Sequence, residues 1–327
     1  MDKPKVFLTR CIAEPALQRL NQIVDLDIWE DENPPSHEVI LSKAPQLDGM
    51  ITLLTDPIDR PVLEALSKKG KVISQMAVGF DNIDINAATM LGIPVGHTPG
   101  VLTETTADFA WALIMAASRR VVEADHEVHQ GIWRHWGPDI LLGLELTGAT
   151  LGIIGFGRIG QAVARRAVGF NMHVLYYDHS HHLDLEKSLG VSYASLDELL
   201  AQSDIVTLHT YLSKETRHLF GRENFSRMKP GAILINTARG QMVNPDDLLW
   251  ALEQKKIGAA ALDVFDPEPI PANHPLLRLP NVIVTPHIAS AGTQTRIRMA
   301  LMAVENLQAG LKGEKLPYCA NPQVYTQ

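Results

Sequence analysis

The sequence predicts an α/β protein made of two doubly wound, parallel-sheet domains, and three observations support this fold class. Short β-branched runs such as KVFLTR and GMITLL, bounded by Gly, Pro and Asp, alternate with amphipathic helical segments over the first hundred residues. The same alternation restarts at Ala149 and continues towards the C-terminus. The length of 327 residues exceeds what one hydrophobic core usually holds, which favours two domains.

Composition narrows the class of protein. The chain is 46% hydrophobic and 20% charged, as globular proteins are, and its net charge of -8 argues against a nucleic-acid partner. The longest apolar run, residues 109–117, is about half of what a bilayer requires, so no membrane span is predicted. A charged N-terminal segment without an apolar core and a total of two cysteines predict a cytoplasmic protein.

Two segments separate the halves of the chain. Residues 103–125 are mostly apolar and predict one long helix, and a second long helix is predicted from about Thr293 to Leu311. Between the first helix and Ala149 lies an irregular segment with two tryptophans, Trp133 and Trp136. Because leaving both tryptophans exposed to solvent would be unfavourable, we predict that a partner chain covers them.

A glycine pattern opens the second half. Gly155, Gly157 and Gly160 have the spacing G-x-G-x-x-G, a strand is predicted immediately before them, and a helix rich in Ala, Val and Arg follows. In that context the glycines permit a tight turn, the approach of a pyrophosphate and close helix packing. The backbone N–H groups of Arg158 and Ile159 are then expected to face the phosphates. The sequence therefore predicts a dinucleotide-binding Rossmann domain.

The next predicted strand, HVLYYD, ends in Asp178. A carboxylate at this place accepts both ribose hydroxyls of adenosine and repels a 2′-phosphate. The following HSHHLDLEKS contains no arginine, so NAD(H) is predicted in preference to NADP(H). The alternative is that Asp178 only caps the following segment.

Two histidine-rich stretches do not predict a metal. His179, His181 and His182 lie in a polar stretch without a matching acid or cysteine pair. HEVH, which ends at His129, is one residue shorter than the zinc-binding H-E-x-x-H pattern.

Polar residues also stand at the ends of three later predicted strands. LINTARG contributes Arg239, LDVFDPEP contributes Asp263 and Glu268, and VIVTPHIAS contributes His287. Each has an ordinary structural explanation by itself, as a surface residue, a loop contact or a core histidine. Together they are expected at the carboxyl edge of the sheet, where ligands bind in open α/β folds.

The chemistry of these side chains suits hydride transfer to a carbonyl. The carbonyl oxygen of a 2-oxo acid gains negative charge during reduction and needs a proton donor, for which His287 is the candidate. Glu268 is the candidate carboxylate that hydrogen-bonds and orients the imidazole. Arg239 can bind the substrate carboxylate or polarise the carbonyl through its planar guanidinium.

Five ordered motifs resemble those of the D-isomer-specific 2-hydroxyacid dehydrogenases over nearly the whole chain. They are VGFDNID, GFGRIG with its distant acid Asp178, NTARG, LDVFDPEP and PHIAS. The resemblance implies a Rossmann domain at residues 103–292, inserted in a flavodoxin-like substrate domain formed by residues 1–102 and 293–327. The two chain crossings predict a hinge between the domains.

The resemblance also implies roles for individual residues. Arg239, Glu268 and His287 form the catalytic apparatus, and the backbone N–H groups of Val78 and Gly79 bind the substrate carboxylate beside the loop of Leu54. The implied cofactor contacts, besides the glycine loop, Asp178, Arg239 and His287, are Thr106, His209, Thr210, Thr237, Ala238 and Asp263, of which Asp263 holds the nicotinamide carboxamide.

Within the family, the tryptophan segment resembles the arm of glyoxylate and hydroxypyruvate reductases, which implies a homodimer with Trp136, or alternatively Trp133, reaching the partner's active site. The chain departs from the family at Tyr211, where a proline is common, and at Gly292. The predicted function is NAD-dependent reduction of glyoxylate, hydroxypyruvate or a similar small 2-oxo acid. The alternative is an NAD(H)-sensing, corepressor-like binding protein with the same fold.

Overall fold

The computed structural model describes residues 3–326, which form two compact units. Unit 1 comprises the chain up to Leu102 and again from Ala291 onwards, and unit 2 comprises Thr103–Ser290. The assignment of these units as a substrate domain and a nucleotide domain stays a prediction.

Strands and helices alternate along the part of the chain that the structure describes. The strands are β1 (Lys5–Leu8), β2 (Asp25–Ile28), β3 (Gly49–Thr52), β4 (Val72–Gln75), β5 (Val95–Gly96), β6 (Thr150–Ile154), β7 (His173–Tyr177), β8 (Ser192–Tyr193), β9 (Ile205–Leu208), β10 (Ile233–Asn236), β11 (Ala259–Leu262) and β12 (Val282–Val284). The helices are α1 (Glu14–Ile23), α2 (His37–Lys43), α3 (Arg60–Leu66), α4 (Ile85–Met90), α5 (Thr103–Ser118), α6 (Val121–His129), α7 (Arg158–Ala167), α8 (Leu183–Leu189), α9 (Leu196–Gln202), α10 (Arg222–Arg227), α11 (Pro245–Glu253) and α12 (Thr293–Leu311).

Unit 1 is a doubly wound sheet. Its strands are all parallel among the described residues and follow the order β2-β1-β3-β4-β5, with Phe7 paired to Met50 and Met50 to Ile73. These three side chains form one buried face with α2, α3 and α4. On the other face α12 crosses β3 and β4. It comes so close that a Cβ on Gly310 would lie 2.5 Å from Val72 Cβ.

Unit 2 is a larger sheet of the same kind. Its seven described strands are parallel in the order β12-β11-β10-β9-β6-β7-β8, which is the Rossmann order with one further strand. Buried clusters cover both faces, one around Phe220 and Leu234 and the other around Trp111 and Ile153. The predicted fold class of two parallel-sheet α/β domains is therefore confirmed.

The structure corrects one predicted element and confirms another. Residues 103–125 form two helices, because α5 ends at Ser118 and Arg120 adopts a left-handed φ of 51° before α6 begins. The Ser118 carbonyl accepts the Leu144 N–H at 2.8 Å, so a distant segment takes the place of the next helical turn. The final helix has the predicted bounds. Within residues 3–326 no helix combines the length and apolarity that crossing a membrane requires.

Candidate active site

The glycine loop of unit 2 joins β6 to α7, and a different physical reason explains why glycine stands at each of its three positions. Gly155 has a φ of +91°, and a Cβ there would lie 2.6 Å from the backbone of His209 and Thr210. A Cβ on Gly160 would lie 2.1 Å from the Gly155 carbonyl oxygen, so α7 packs directly on the loop. At Gly157 the added Cβ would meet no atom within 4 Å. The middle glycine is therefore the one that leaves space open in front of the loop.

Asp178 lies beside this loop. Its Oδ2 accepts the Phe156 N–H at 2.6 Å, and the preceding Tyr177 carbonyl accepts the Gly155 N–H at 2.9 Å. The carboxylate is thus oriented by the glycine loop itself. Asp178 is half-buried, which leaves part of the group accessible to a ligand.

His209 and Thr210 follow β9 and form the wall against which Gly155 packs. His209 Nε2 lies 2.8 Å from Thr207 Oγ1. Although part of the residue is accessible, the surrounding protein desolvates the imidazole and lowers the pKa of His209 to about 3. This histidine is therefore uncharged at neutral pH and adds no positive charge near the loop.

Arg239 stands on a turn that follows β10. The turn is built by Asn236, whose Oδ1 accepts the Ala238 N–H at 3.0 Å and whose Nδ2 donates to the Arg239 carbonyl at 2.8 Å. The guanidinium donates to the Ala238 carbonyl at 2.7 Å and is partly buried. The fully buried Asn236 was not among the predicted residues, although an amide at the end of the apolar run ILIN is a signal that could have found it.

Asp263, at the end of β11, holds the segment that carries His287. Its carboxylate accepts the Thr285 hydroxyl at 2.6 Å and the N–H groups of Ile288 and Ala289 at 2.9 and 2.7 Å, and it is fully buried. Its carbonyl accepts the His287 N–H at 2.9 Å. Three of about four acceptor positions of the carboxylate are thereby occupied within the protein. The predicted contact of Asp263 with a carboxamide stays a prediction.

His287 and Glu268 form a hydrogen-bonded pair. His287 Nδ1 lies 2.6 Å from Glu268 Oε1, and the two side chains are 26% and 31% exposed. His287 has a φ of 54°, an uncommon backbone conformation for a residue with a Cβ. The Asp263 contacts on either side of it hold that conformation. Because Nδ1 is engaged, Nε2 is the nitrogen that remains for a substrate.

Adjacent strands bring the three catalytic candidates to one edge. Arg239, Glu268 and His287 follow β10, β11 and β12, which are neighbouring parallel strands. The glycine loop and Asp178 follow β6 and β7 of the same sheet and lie at the same carboxyl edge. This edge brings together a helix start that can bind an anion, an imidazole that can donate a proton and a guanidinium, and such a set of groups is suited to carbonyl reduction.

Three features of unit 2 fit a bound dinucleotide. Space is open over Gly157, and no side chain caps the start of α7, whose first N–H groups can therefore bind a phosphate. Thr237 Oγ1 is buried and has no hydrogen-bond partner among the described residues, as expected of a group that meets a ligand. The predicted residues Arg158 and Ile159 are the first two of α7.

The remaining predicted residues lie elsewhere. Leu54 is in the turn after β3 of unit 1, and Val78 and Gly79 are in the loop after β4. In unit 2, Thr106 is buried in α5, whereas Trp136 is 81% exposed in the segment after α6. The roles assigned to these residues stay predictions. Within residues 3–326 no group of His, Cys, Asp and Glu side chains could hold a metal ion.

The chain is similar to known dehydrogenases over nearly its whole length. A family model described as D-isomer specific 2-hydroxyacid dehydrogenase, NAD binding domain, matches residues 111–289. A glyoxylate reductase of Korarchaeum cryptofilum is 53% identical over 323 residues, which cover 98% of this chain and 97% of that protein.

Solved structures are similar over the same extent. The crystal structure of the TT0316 protein from Thermus thermophilus has a TM-score of 0.90 and 45% identity, covering 97% of this chain and 99% of that one. The crystal structure of a glyoxylate reductase from Paecilomyes thermophila has a TM-score of 0.86 and 32% identity, covering 99% and 100%. Relatives with an enzyme's name do not favour the alternative of an NAD(H)-sensing binding protein.

Proposed function

The chain belongs to the D-isomer specific 2-hydroxyacid dehydrogenase family, and we propose that it is an NADH-preferring reductase of glyoxylate, hydroxypyruvate or a similarly small 2-oxo acid. It is an NAD-dependent oxidoreductase of 2-oxo acids. The observation that carries the proposal is the 2.6 Å contact of His287 Nδ1 with Glu268 Oε1 at the carboxyl edge of a Rossmann sheet.

The proposed mechanism divides the work among three side chains. NADH, when bound, supplies a hydride to the carbonyl carbon of the substrate. His287 donates a proton from Nε2 to the carbonyl oxygen, and in the oxidation direction it takes the proton back. Glu268 orients the ring and stabilises its protonated form, while the guanidinium of Arg239 binds the substrate carboxylate or its carbonyl oxygen. Leu54 and the N–H groups of Val78 and Gly79 complete the proposed substrate contacts.

His287→Ala tests this mechanism. We expect turnover of glyoxylate with NADH to fall by at least about 100-fold, because a general acid commonly contributes that much. Binding of NADH, followed by fluorescence titration, is expected to stay within about twofold of the wild type. His173→Ala is the matched control, since His173 is exposed at the amino end of β7 in the same sheet. Retained turnover in His287→Ala, or no wild-type turnover with any 2-oxo acid of a panel, contradicts the proposal.

The preference for NADH rests on Asp178. Because Asp178 also accepts the Phe156 N–H, an alanine would disturb the glycine loop as well as remove the charge. Asp178→Asn keeps one acceptor oxygen for the Phe156 N–H, and it removes the negative charge that repels a 2′-phosphate together with one acceptor of the ribose hydroxyls. We expect the ratio of kcat/KM for NADH over NADPH to fall by about tenfold or more in this variant. A wild type that prefers NADPH would show that the reasoning from Asp178 is wrong.

A homodimer and a cytoplasmic location are also part of the proposal. The segment after α6 exposes Trp133, Trp136 and Leu142 by 62%, 81% and 67%, and we propose that a second copy covers these apolar side chains. Light scattering is expected to give about twice the chain mass of 36.0 kDa. Trp136→Ala is expected to raise KM for glyoxylate, with Trp133→Ala as its comparison. Both cysteines are free thiols, which suits the reducing cytoplasm.

A further inference from the structure

The loop after β4, residues 76–82, carries the two N–H groups that are proposed to bind the substrate carboxylate. Neither the Val78 nor the Gly79 N–H has a hydrogen-bond partner among residues 3–326. Two N–H groups hold one carboxylate well only if both point at it before it arrives. The orientation of these two peptide planes therefore determines the affinity for the substrate.

Each N–H shares a planar trans peptide with a carbonyl that points the opposite way. The Val78 N–H belongs to the same peptide as the Ala77 carbonyl, which accepts the Thr98 N–H at 2.8 Å. The Gly79 N–H belongs to the same peptide as the Val78 carbonyl, which lies 3.0 Å from His97 Nδ1. Since a carbonyl oxygen only accepts, Nδ1 carries the proton and donates. His97 therefore orients the Gly79 N–H by holding the other side of its peptide.

His97 is itself firmly placed. Its backbone N–H donates to the Tyr318 carbonyl at 3.0 Å, and its carbonyl accepts from Nδ2 of the fully buried Asn306 at 2.9 Å. The Phe80 ring lies edge-on to the imidazole, with centroids 5.5 Å apart and an interplanar angle of 83°. The imidazole thus has one orientation in which to meet the Val78 carbonyl.

The far end of the loop is held by Asn82. Its Nδ2 donates to the carbonyls of Leu53 and Asp56 at 3.0 and 2.8 Å, and its Oδ1 accepts from Gln75 Nε2 at 2.8 Å. These contacts tie the loop to the turn that contains Leu54. They do not touch the peptide between Val78 and Gly79, whose carbonyl is contacted by the His97 side chain.

We propose that His97 is a positioning residue for substrate binding: its Nδ1–H holds the Val78 carbonyl so that the Gly79 N–H is directed at the carboxylate of the 2-oxo acid. This inference rests on the proposed function, which assigns the carboxylate to Val78 and Gly79. His97 touches neither substrate nor cofactor in this role. Loss of the His97 hydrogen bond is expected to weaken binding of the substrate equally in the ground state and in the transition state, which raises KM and leaves kcat unchanged.

Two substitutions separate the hydrogen bond from the ring packing. His97→Phe keeps a ring against Phe80 and removes the donor, whereas His97→Asn removes the ring and keeps an N–H at the same distance from Cβ as Nδ1. We expect His97→Phe to raise KM for glyoxylate roughly threefold to tenfold, the value of one net hydrogen bond, with kcat and NADH affinity unchanged. His97→Asn is expected to stay within about twofold of the wild type.

His37→Phe is the matched control, because it makes the same substitution in unit 1 at a side chain that contacts Asp59 at 3.0 Å and not the loop. Its KM is expected to equal that of the wild type. The proposal is overturned if His97→Phe leaves KM within twofold, if His37→Phe raises it equally, or if His97→Asn does not restore it. Calorimetric binding of oxamate to the NADH-saturated protein gives the same comparison without turnover, so an inactive wild type would refute the proposed function and still test His97.

Discussion

Replacing Gly160 by alanine is expected to destabilise unit 2, because the new Cβ would lie 2.1 Å from the Gly155 carbonyl oxygen. Real Cβ contacts stay beyond 3.0 Å, so the start of α7 must move away from the loop by about 0.9 Å (3.0 minus 2.1). A backbone oxygen cannot rotate aside as a side chain does. We therefore expect the upper end of the usual cost of overpacking, about 3 kcal/mol. For a unit of this size that corresponds to a fall in Tm of roughly 6–12 °C.

Gly157→Ala is the matched variant three residues earlier. Its φ of -70° is ordinary for alanine, and the added Cβ meets no atom within 4 Å, so the stability cost is at most about 1 kcal/mol at this N-cap. The methyl group would instead occupy the space through which a pyrophosphate approaches. We expect Kd for NADH to rise by about tenfold or more while Tm changes little.

Thermal melting of both variants measures the loss of stability, and fluorescence titration with NADH measures the loss of cofactor affinity. The reasoning requires a crossed result, in which Gly160→Ala loses mainly stability and Gly157→Ala loses mainly cofactor affinity. A Gly160→Ala protein that melts within about 2 °C of the wild type would refute the close packing of α7. A Gly157→Ala protein with wild-type affinity for NADH would refute the placement of the pyrophosphate.

Three further predictions concern buried polar groups. Burial raises the pKa of Asp56 above its ordinary 3.8, so the folded state binds the proton more tightly than the unfolded state does. As the pH rises from about 4 to 7, the unfolding free energy of the wild type, measured in urea, is therefore expected to fall relative to that of Asp56→Asn. Equal dependence of the two unfolding free energies on pH would contradict this. Desolvation lowers the pKa of His209 from 6.5 to about 3, so the unfolded state takes up the proton first as the pH falls. Relative to His209→Asn, the wild type is therefore expected to lose up to about 1.4 kcal/mol of unfolding free energy per pH unit between pH 6.5 and about 3. Asp263→Ala leaves the Thr285 hydroxyl and two backbone N–H groups without their acceptor, and calorimetry is expected to show a loss of about 3 kcal/mol or more; a wild-type Tm would exclude that role.

The sequence was sufficient to predict those parts of the fold that depend on residues close together in the chain. The strand, the three glycines and the following helix could be predicted together because their order and spacing within a few residues form a recognisable pattern. The predicted bounds of α12, Thr293 to Leu311, are those that the structure has. Asp178 lies next to the glycine loop because parallel strands end at a common edge, and its contact with a ribose stays a prediction.

The rest depends on contacts between segments far apart in the chain. The break after Ser118 could not be predicted, because the residues that follow retain helical periodicity and the competing N–H belongs to Leu144. For the same reason the three donors to Asp263 were not anticipated, since two of them are backbone groups that carry no sequence signal. The contact of Glu268 with His287 was predicted from chemistry, and its 2.6 Å geometry needed the structure.

The strand order of unit 2 separates two tasks. The glycine loop and Asp178 follow β6 and β7, on one side of the point where the order reverses, and Arg239, Glu268 and His287 follow β10, β11 and β12 on the other. The proposed contact with the adenosine ribose and the proposed proton donor therefore lie on opposite sides of that point, and we expect substitutions after β7 to change the preference between NADH and NADPH while Glu268 and His287 keep their places. Such a sheet would let the acid at the end of β7 be redesigned, or diverge in evolution, without moving the proposed proton donor.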